Sequence, residues 1–265
     1  MKLLESCRAA IGNIHFNPVR YRVHLHLLED PEQEEIKGVK RHVSFATKDV
    51  LEIGCGDGRV SKKYWNEPRR LVGIDPEQDA LESARKSLPE SLAKRTTFLV
   101  GSAEKLEFED RAFDIVFFTW SLCCVQNPGK SLREAWRVLR PKGFLVNLMP
   151  DLEPSVEVGV LRALGGKEVS RSKVGVACEA LVGSMKERLF VPAKEERLFF
   201  SVYPGSMDEF ANWLPSYTGP FNKQEFASMK KESIEAMKIF AQALKMGDGF
   251  RVRDVLSLVS AEKVL

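Results

Sequence analysis

The sequence lacks the cysteine patterns of metal-binding and disulfide-stapled proteins. Its five cysteines, at positions 7, 55, 123, 124 and 178, include no C-x-x-C pair and no histidine at a zinc-site spacing. An odd number of cysteines with two adjacent is typical of reduced thiols. We therefore predict no metal site and expect a cytoplasmic protein.

Long apolar runs are also absent. The longest uncharged run in the apolar middle covers residues 115–129, shorter than the about 20 residues that a bilayer requires. The charges of Glu5 and Arg8 interrupt any apolar core of a signal peptide. We interpret residues 115–129 as containing a buried strand, and we expect no membrane span.

No segment is strongly charged. The chain has 40 Lys and Arg against 37 Asp and Glu, a net charge of +3, and both signs are spread evenly along it. This disfavours nucleic-acid binding through a dedicated basic segment, although side chains from separate segments can still form a basic face. With 265 residues, of which 44% are hydrophobic, the chain can bury a large core.

Apolar strands and amphipathic helices alternate from about residue 48. This order is typical of parallel βαβ units, and strands that are apolar throughout are typical of sheets covered by helices on both faces. The core strands are predicted at residues 50–53, 71–74, 96–100, 113–119 and 144–148, with helices at 59–66, 80–88 and 132–139. The flanks predict helices near the start and at 155–165, 173–189 and about 226–244, and strands at 197–203 and 250–260.

A glycine-rich loop after the first strand carries the main functional signal. Gly54, Gly56 and Gly58 alternate behind the acidic strand residue Glu52, and such glycines let the backbone approach a ligand closely. The G-x-G-x-x-G dinucleotide fingerprint fails because its sixth position is Arg59, and no Gly-Lys-Ser/Thr follows for a phosphate-binding loop.

Asp75 ends the second predicted strand. A carboxylate at this place can accept hydrogen bonds from both hydroxyls of a ribose. A helix cap is the alternative interpretation. The glycine-rich loop one βα unit earlier favours the ribose.

Five segments together resemble the class I S-adenosylmethionine-dependent methyltransferases, most closely their small-molecule, ubiquinone- and menaquinone-type subgroup. They are residues 50–59, 73–75, 101–108, 113–116 and 132–143, in the family's order and spacing. The resemblance covers about residues 45–150. It implies an α/β fold, a Rossmann-like three-layer sandwich whose mostly parallel seven-strand sheet has an antiparallel last strand. The single domain, residues 1–265, would comprise an N-terminal cap (1–45), a cofactor-binding core (46–150) and an insertion or lid after the fifth strand with the last two strands (151–265).

The resemblance implies S-adenosylmethionine as the cofactor and assigns residues to both of its ends. The family commonly has Asp where this chain has Ser102, so the likeness does not extend to a hydrogen bond with the exocyclic amine of adenine. Glu104 is interpreted as an exposed or capping acid. The methionine end and the methyl group are assigned to Glu52, Gly54, Cys55, Gly56, Thr119 and Trp120, and the adenosine end to Asp75, Pro76, Ser102 and Ala103.

No catalytic base is predicted. The sulfonium carbon is already electrophilic, so alignment supplies much of the rate, and a base is needed only for a protonated nucleophile. Tyr21, His24 and His26 are candidates because the N-terminal flank of this family often lies over the active site. We interpret Cys123 and Cys124 as core residues; thiol chemistry, or metalloid binding together with Cys178, is the alternative.

The resemblance implies direct in-line methyl transfer. We predict a small-molecule acceptor, because the flanks supply aromatic side chains and no basic segment. The alternatives are an RNA or protein methyltransferase and a cofactor-binding module without catalysis. The aromatic residues in question are Tyr21, Phe199, Phe200, Tyr203, Trp213 and Tyr217.

Overall fold

The computed structural model describes residues 33–151, 173–202, 245–246, 249–250 and 252–264. The predictions on Tyr21, His24, His26, Tyr203, Trp213 and Tyr217, and on the helices at 155–165 and 226–244, lie outside this part. The helices are α1 (Glu34–His42), α2 (Gln78–Ser87), α3 (Pro128–Val138) and α4 (Lys173–Lys186). The strands are β1 (Asp49–Ile53), β2 (Arg70–Asp75), β3 (Thr96–Val100), β4 (Phe113–Thr119), β5 (Leu139–Pro150), β6 (Phe190–Val202), β7 (Lys245–Met246), β8 (Gly249–Phe250) and β9 (Val252–Lys263).

Seven of these strands form one sheet in the order β3-β2-β1-β4-β5-β9-β6. Neighbours from β3 to β5 pair in parallel, whereas β9 runs antiparallel to both β5 and β6. The predicted mostly parallel seven-strand sheet with an antiparallel last strand is therefore confirmed. Because β9 lies between β5 and β6, the C-terminal segment completes the same sheet that the core strands begin.

Helices cover both faces of the sheet. On one face, Val50 and Val146 are buried beneath α1, together with Phe45 and Tyr64, whose rings stack at 4.1 Å between centroids. On the other face, Leu51, Val116 and Leu145 pack in one buried cluster with residues of α3 and α4. Burial on both faces explains why these strands are apolar throughout rather than alternating.

The helix predicted at residues 59–66 is wrong. The structure has only a 3-10 turn there, Ser61–Lys63, and Tyr64 leaves it with φ −144°. The side chains of Ser61 and Tyr64 both donate hydrogen bonds to Glu52 of β1, which fixes this segment against the strand. Tight packing onto β1 thus replaces the regular helix that the local pattern indicated.

Strand limits also differ from the prediction at the C-terminal edge of the sheet. β6 begins at Phe190, seven residues before the predicted start at Arg197, and β9 extends to Lys263. The first half of β6 carries charged residues and Pro192, and its register with β9 shifts between Pro192 and Lys194. Pro, charge and a register shift are typical of an edge strand, which a search for apolar runs does not find.

Helix α1 fastens the N-terminal part to the C-terminal strands. The guanidinium of Arg41 donates to Glu196 of β6 at 2.6 Å. The His42 ring is buried, with Nδ1 3.0 Å from Ser260 Oγ and Nε2 3.3 Å from Glu196 Oε2. Burial lowers the pKa of His42, and the nearby cations Lys194 and Arg41 act in the same direction, against the effect of Glu196.

Among the helices of the described residues, none is both long enough and apolar enough to span a membrane.

Candidate cofactor site

The glycine-rich loop folds tightly over the end of β2. Gly54, Gly56 and Gly58 have φ values of +77°, +54° and +79°, a region that favours glycine over residues with a side chain. The N–H groups of Gly54 and Cys55 both donate to the carbonyl of Ile74, at 2.8 and 3.1 Å. The loop therefore places its backbone at the carboxyl ends of β1 and β2, where ligands of open α/β sheets bind.

Gly54 and Gly56 have different surroundings. A Cβ atom on Gly54 would lie 2.2 Å from Cβ of Ser121, so the loop after β4 leaves no space for a side chain there. Apart from its two chain neighbours, no described residue would have a heavy atom within 4 Å of a Cβ atom on Gly56. Gly54 is thus needed for packing, while Gly56 borders open space that a ligand can fill.

Asp75 anchors the loop through both oxygens. Its Oδ2 accepts the N–H of Gly56 and its Oδ1 accepts the N–H of Glu77, each at 2.9 Å. Burial raises the pKa of Asp75, and these two N–H groups oppose the shift. Each carboxylate oxygen can accept a further hydrogen bond. Glu77 is itself the N-cap residue of α2, so this bond does not make Asp75 a helix cap. The spare acceptor capacity of Asp75 leaves the ribose interpretation open.

Glu52 is a buried carboxylate with one satisfied oxygen. Its Oε2 accepts hydrogen bonds from Ser61 Oγ at 2.6 Å and Tyr64 Oη at 2.7 Å. Burial raises the pKa of Glu52, against the effect of the hydroxyls of Ser61, Tyr64 and Thr119. Within the described residues, Glu52 Oε1 and Thr119 Oγ1 are both buried without a hydrogen bond of normal geometry.

These two unsatisfied atoms suit the cofactor that the resemblance implies. Glu52 and Thr119 lie at the carboxyl ends of adjacent strands, β1 and β4. A buried polar atom without a partner costs about 1–3 kcal/mol, and an ammonium group brings three donors. The primary amine of a methionine moiety therefore fits this position, and the open space beside Gly56 fits the body of the ligand.

The residues assigned to adenine lie on the neighbouring loops. Pro76 and Ser102 are exposed and Ala103 is buried. Ser102 Oγ accepts the N–H of Glu104 at 3.2 Å. Glu104 in turn accepts the N–H groups of Gln126 and Asn127, both at 3.0 Å. Glu104 is therefore a capping acid that joins the loops after β3 and β4, a link that sequence reasoning left undecided.

Trp120 follows Thr119 in a left-handed backbone conformation, with φ +56°. Its backbone N–H donates to the carbonyl of Leu148 at 2.8 Å. Its indole N–H donates to Glu35 Oε1 at 2.6 Å. Glu35 lies in α1 and was not predicted as part of any site, because its partners are distant in sequence and only the fold brings them together.

The adjacent cysteines have different environments. Cys123 is buried in the cluster that also contains Cys178, whereas Cys124 is exposed. The prediction that both are core residues is therefore wrong for Cys124. The turn from Ser121 to Cys124 directs this side chain outward, and the two sulfur atoms lie 4.0 Å apart. The hydrogen bond with Cys123 lowers the pKa of the Cys124 thiol.

Comparison with known proteins identifies the core of the chain. Residues 51–147 match the family described as "Methyltransferase domain". The chain is 33% identical over 141 residues to phthiotriol/phenolphthiotriol dimycocerosates methyltransferase 1 of Mycobacterium ulcerans (strain Agy99), covering 51% of this chain and 49% of that protein. It is 32% identical over 114 residues to mouse thiol S-methyltransferase TMT1B, covering 42% of this chain and 44% of that protein. The chain thus spans less than half the length of these relatives.

The fold agrees with this family match. The crystal structure of the YcgJ protein of Bacillus subtilis superposes with a TM-score of 0.59 at 19% identity, covering 88% of this chain and 99% of that one. Residues 51–147 therefore match a methyltransferase domain, and the sheet order agrees with the class I fold that the sequence resembles. The ubiquinone- and menaquinone-type subgroup stays a prediction.

Proposed function

We propose that the protein transfers the methyl group of S-adenosylmethionine to a small-molecule acceptor. The observation that supports this most directly is Glu52 Oε1, a buried acceptor at the carboxyl end of β1 that has no hydrogen-bond partner among the described residues. It stands beside the loop in which Gly56 borders open space and contacts Asp75. When bound, the cofactor supplies a methyl group on a sulfonium centre, which needs no further activation by the protein.

The chain's own residues bind and orient in this proposal. Glu52 and Thr119 accept hydrogen bonds from the amine of the methionine end, and Asp75 accepts them from the ribose hydroxyls. Trp120 borders the methyl group, so that the acceptor approaches along the line of the breaking bond while water is excluded. Positioning of this kind supplies much of the rate of such a transfer.

The small-molecule acceptor is supported by the relatives and by the charge distribution. The names of the relatives describe methylation of phthiotriol dimycocerosates and of thiols. The net charge of +3 is spread along the chain without a basic segment, whereas RNA binding requires several cations aimed at phosphates. A cytoplasmic location belongs to the same proposal and agrees with the free thiols of Cys55, Cys123, Cys124 and Cys178.

The test is incubation of the protein with methyl-labelled cofactor and a cell extract separated into small-molecule, RNA and protein fractions. We expect label in the small-molecule fraction and a strong reduction with Asp75→Ala. Label confined to the RNA or protein fraction would overturn the acceptor class. A protein that binds the cofactor in calorimetry but labels no fraction would instead be a binding module without catalysis.

A further inference from the structure

Glu35 is a buried carboxylate outside the matched segment 51–147. It lies in the first turn of α1 and is 1% exposed. Arg59 donates to both of its oxygens, with Nη2 2.8 Å from Oε1. The indole Nε1 of Trp120 lies 2.6 Å from Oε1, and Lys63 Nζ lies 3.8 Å from Oε2.

The partners of Glu35 belong to the two segments that form the candidate cofactor site. Arg59 follows Gly58 at the end of the glycine-rich loop, where its backbone N–H donates to Asp57 Oδ1 at 3.0 Å. Trp120 directly follows Thr119 and has a left-handed backbone, which is uncommon for a bulky residue and needs support from its surroundings. One carboxylate therefore joins the loop after β1 to the end of β4.

We propose that Glu35 is a positioning residue of the cofactor site. Its carboxylate holds the Trp120 indole and the Arg59 guanidinium in place and offsets the positive charge of Arg59 and Lys63. The inference rests on the proposed function in one respect: it takes the cofactor to bind at the glycine-rich loop. It extends that function to the N-terminal helix, to which no cofactor role had been assigned.

Charge makes this role measurable. Glu35→Gln removes one negative charge beside the cations of Arg59 and Lys63 and makes the local potential more positive. S-adenosylmethionine has a cationic sulfonium, whereas S-adenosylhomocysteine has a neutral thioether and is otherwise closely similar. The more positive potential disfavours only the cationic sulfonium of S-adenosylmethionine, while general damage to the site weakens both ligands alike.

The experiment is calorimetric titration of the full chain and Glu35→Gln with each ligand at low salt. We expect the affinity for S-adenosylmethionine to fall about fivefold more than that for S-adenosylhomocysteine, as for a unit charge acting across several ångströms near a protein surface. Glu34→Gln is the matched control, because Glu34 is the preceding residue and pairs with Lys37 at 3.3 Å. It should bind both ligands like the wild type, and thermal unfolding should show each variant folded.

A second variant keeps the inference testable if Glu35→Gln does not fold. Trp120→Phe removes only the indole donor and leaves the ion pairs, so it should weaken both ligands severalfold and to a similar extent. In the double variant Glu35→Gln/Trp120→Phe, the combined loss of affinity should be smaller than the product of the two single losses, because both changes weaken the same contact between residues 35 and 120. Equal losses for the two ligands in Glu35→Gln, or unchanged affinities in Trp120→Phe, would overturn the role of Glu35. A wild type that binds neither ligand would instead overturn the cofactor site itself.

Discussion

Replacing Asp75 with alanine should weaken the binding of S-adenosylhomocysteine without unfolding the protein. Each Asp75 oxygen already accepts one backbone N–H, from Gly56 or Glu77 at 2.9 Å, and retains the capacity for one ribose hydroxyl. Hydrogen bonds to a charged acceptor contribute about 1.5–3 kcal/mol. The dissociation constant should therefore rise by roughly 10- to 150-fold.

Comparing two ligands distinguishes contacts to the adenosine end of the cofactor from contacts to its methionine end. 5′-Methylthioadenosine has the adenine and ribose of S-adenosylhomocysteine but lacks its amino-acid group. Asp75→Ala should weaken both ligands by a similar factor, as measured by isothermal titration calorimetry. Glu52→Gln, which removes the charge of the buried acceptor, should weaken S-adenosylhomocysteine and leave 5′-methylthioadenosine almost unchanged.

Asp57→Ala is the control for Asp75→Ala. Asp57 is an exposed carboxylate of the same loop, and its Oδ1 accepts the N–H of Arg59 at 3.0 Å. Its loss should change loop stability slightly and leave both affinities near the wild-type values. A folded Asp75→Ala protein that binds S-adenosylhomocysteine within about twofold of the wild type, where a loss of about 1.5 kcal/mol is expected, would refute the ribose assignment and leave Asp75 as a loop anchor alone.

Three further outcomes follow from the structure. Gly54→Ala should lower the melting temperature more than Gly56→Ala, because both place a side chain on a backbone of positive φ but only the Cβ of residue 54 would lie 2.2 Å from another side chain. Gly56→Ala should mainly weaken cofactor binding in calorimetry, and equal melting temperatures would contradict this. Cys123→Ala should lower the free energy of unfolding in urea by about 1 kcal/mol, and Cys124→Ala should lower it by less. The double variant should still bind the cofactor. If it lost methyl transfer while stability and cofactor binding were kept, thiol chemistry would be favoured. Because burial lowers the pKa of His42, the unfolded chain takes up its proton first as the pH falls below about 6.5. The folded state therefore loses stability as the pH falls from there to the folded pKa of His42. Between about pH 7.5 and about pH 5.5, the melting temperature of His42→Gln should fall less than that of the wild type, and an equal fall would refute this.

The core strands and the cofactor loop were predictable because their signals are local. The strand at 113–119 is apolar throughout, and its observed bounds, Phe113–Thr119, agree with the prediction. The alternating glycines of the loop after β1 are adjacent in sequence, and the structure gives all three a positive φ. Patterns of this kind depend on a few neighbouring residues, so the sequence alone reveals them.

The contacts of Glu35 were not predictable for the opposite reason. Its hydrogen bonds reach Arg59, 24 residues away, and Trp120, 85 residues away, so no local pattern indicates them. Cys124 was misjudged because its sequence neighbours are apolar, whereas its exposure depends on the direction of one turn. Such features arise from how distant segments meet, and they concentrate where the candidate site is assembled.

The position of β9 inside the sheet has a consequence for synthesis on the ribosome. The strands β1 to β5 can pair as they emerge, but the described pairing partner of β6 is β9, which follows β6 at a distance in the chain. Likewise, Leu145 of β5 can pair with Ala261 of β9 only after β9 has been synthesised. Long-range pairing of this kind is slow and leaves hydrogen-bonding edges open in the meantime. The nascent chain should therefore need protection by chaperones until β9 leaves the exit tunnel and inserts between β5 and β6.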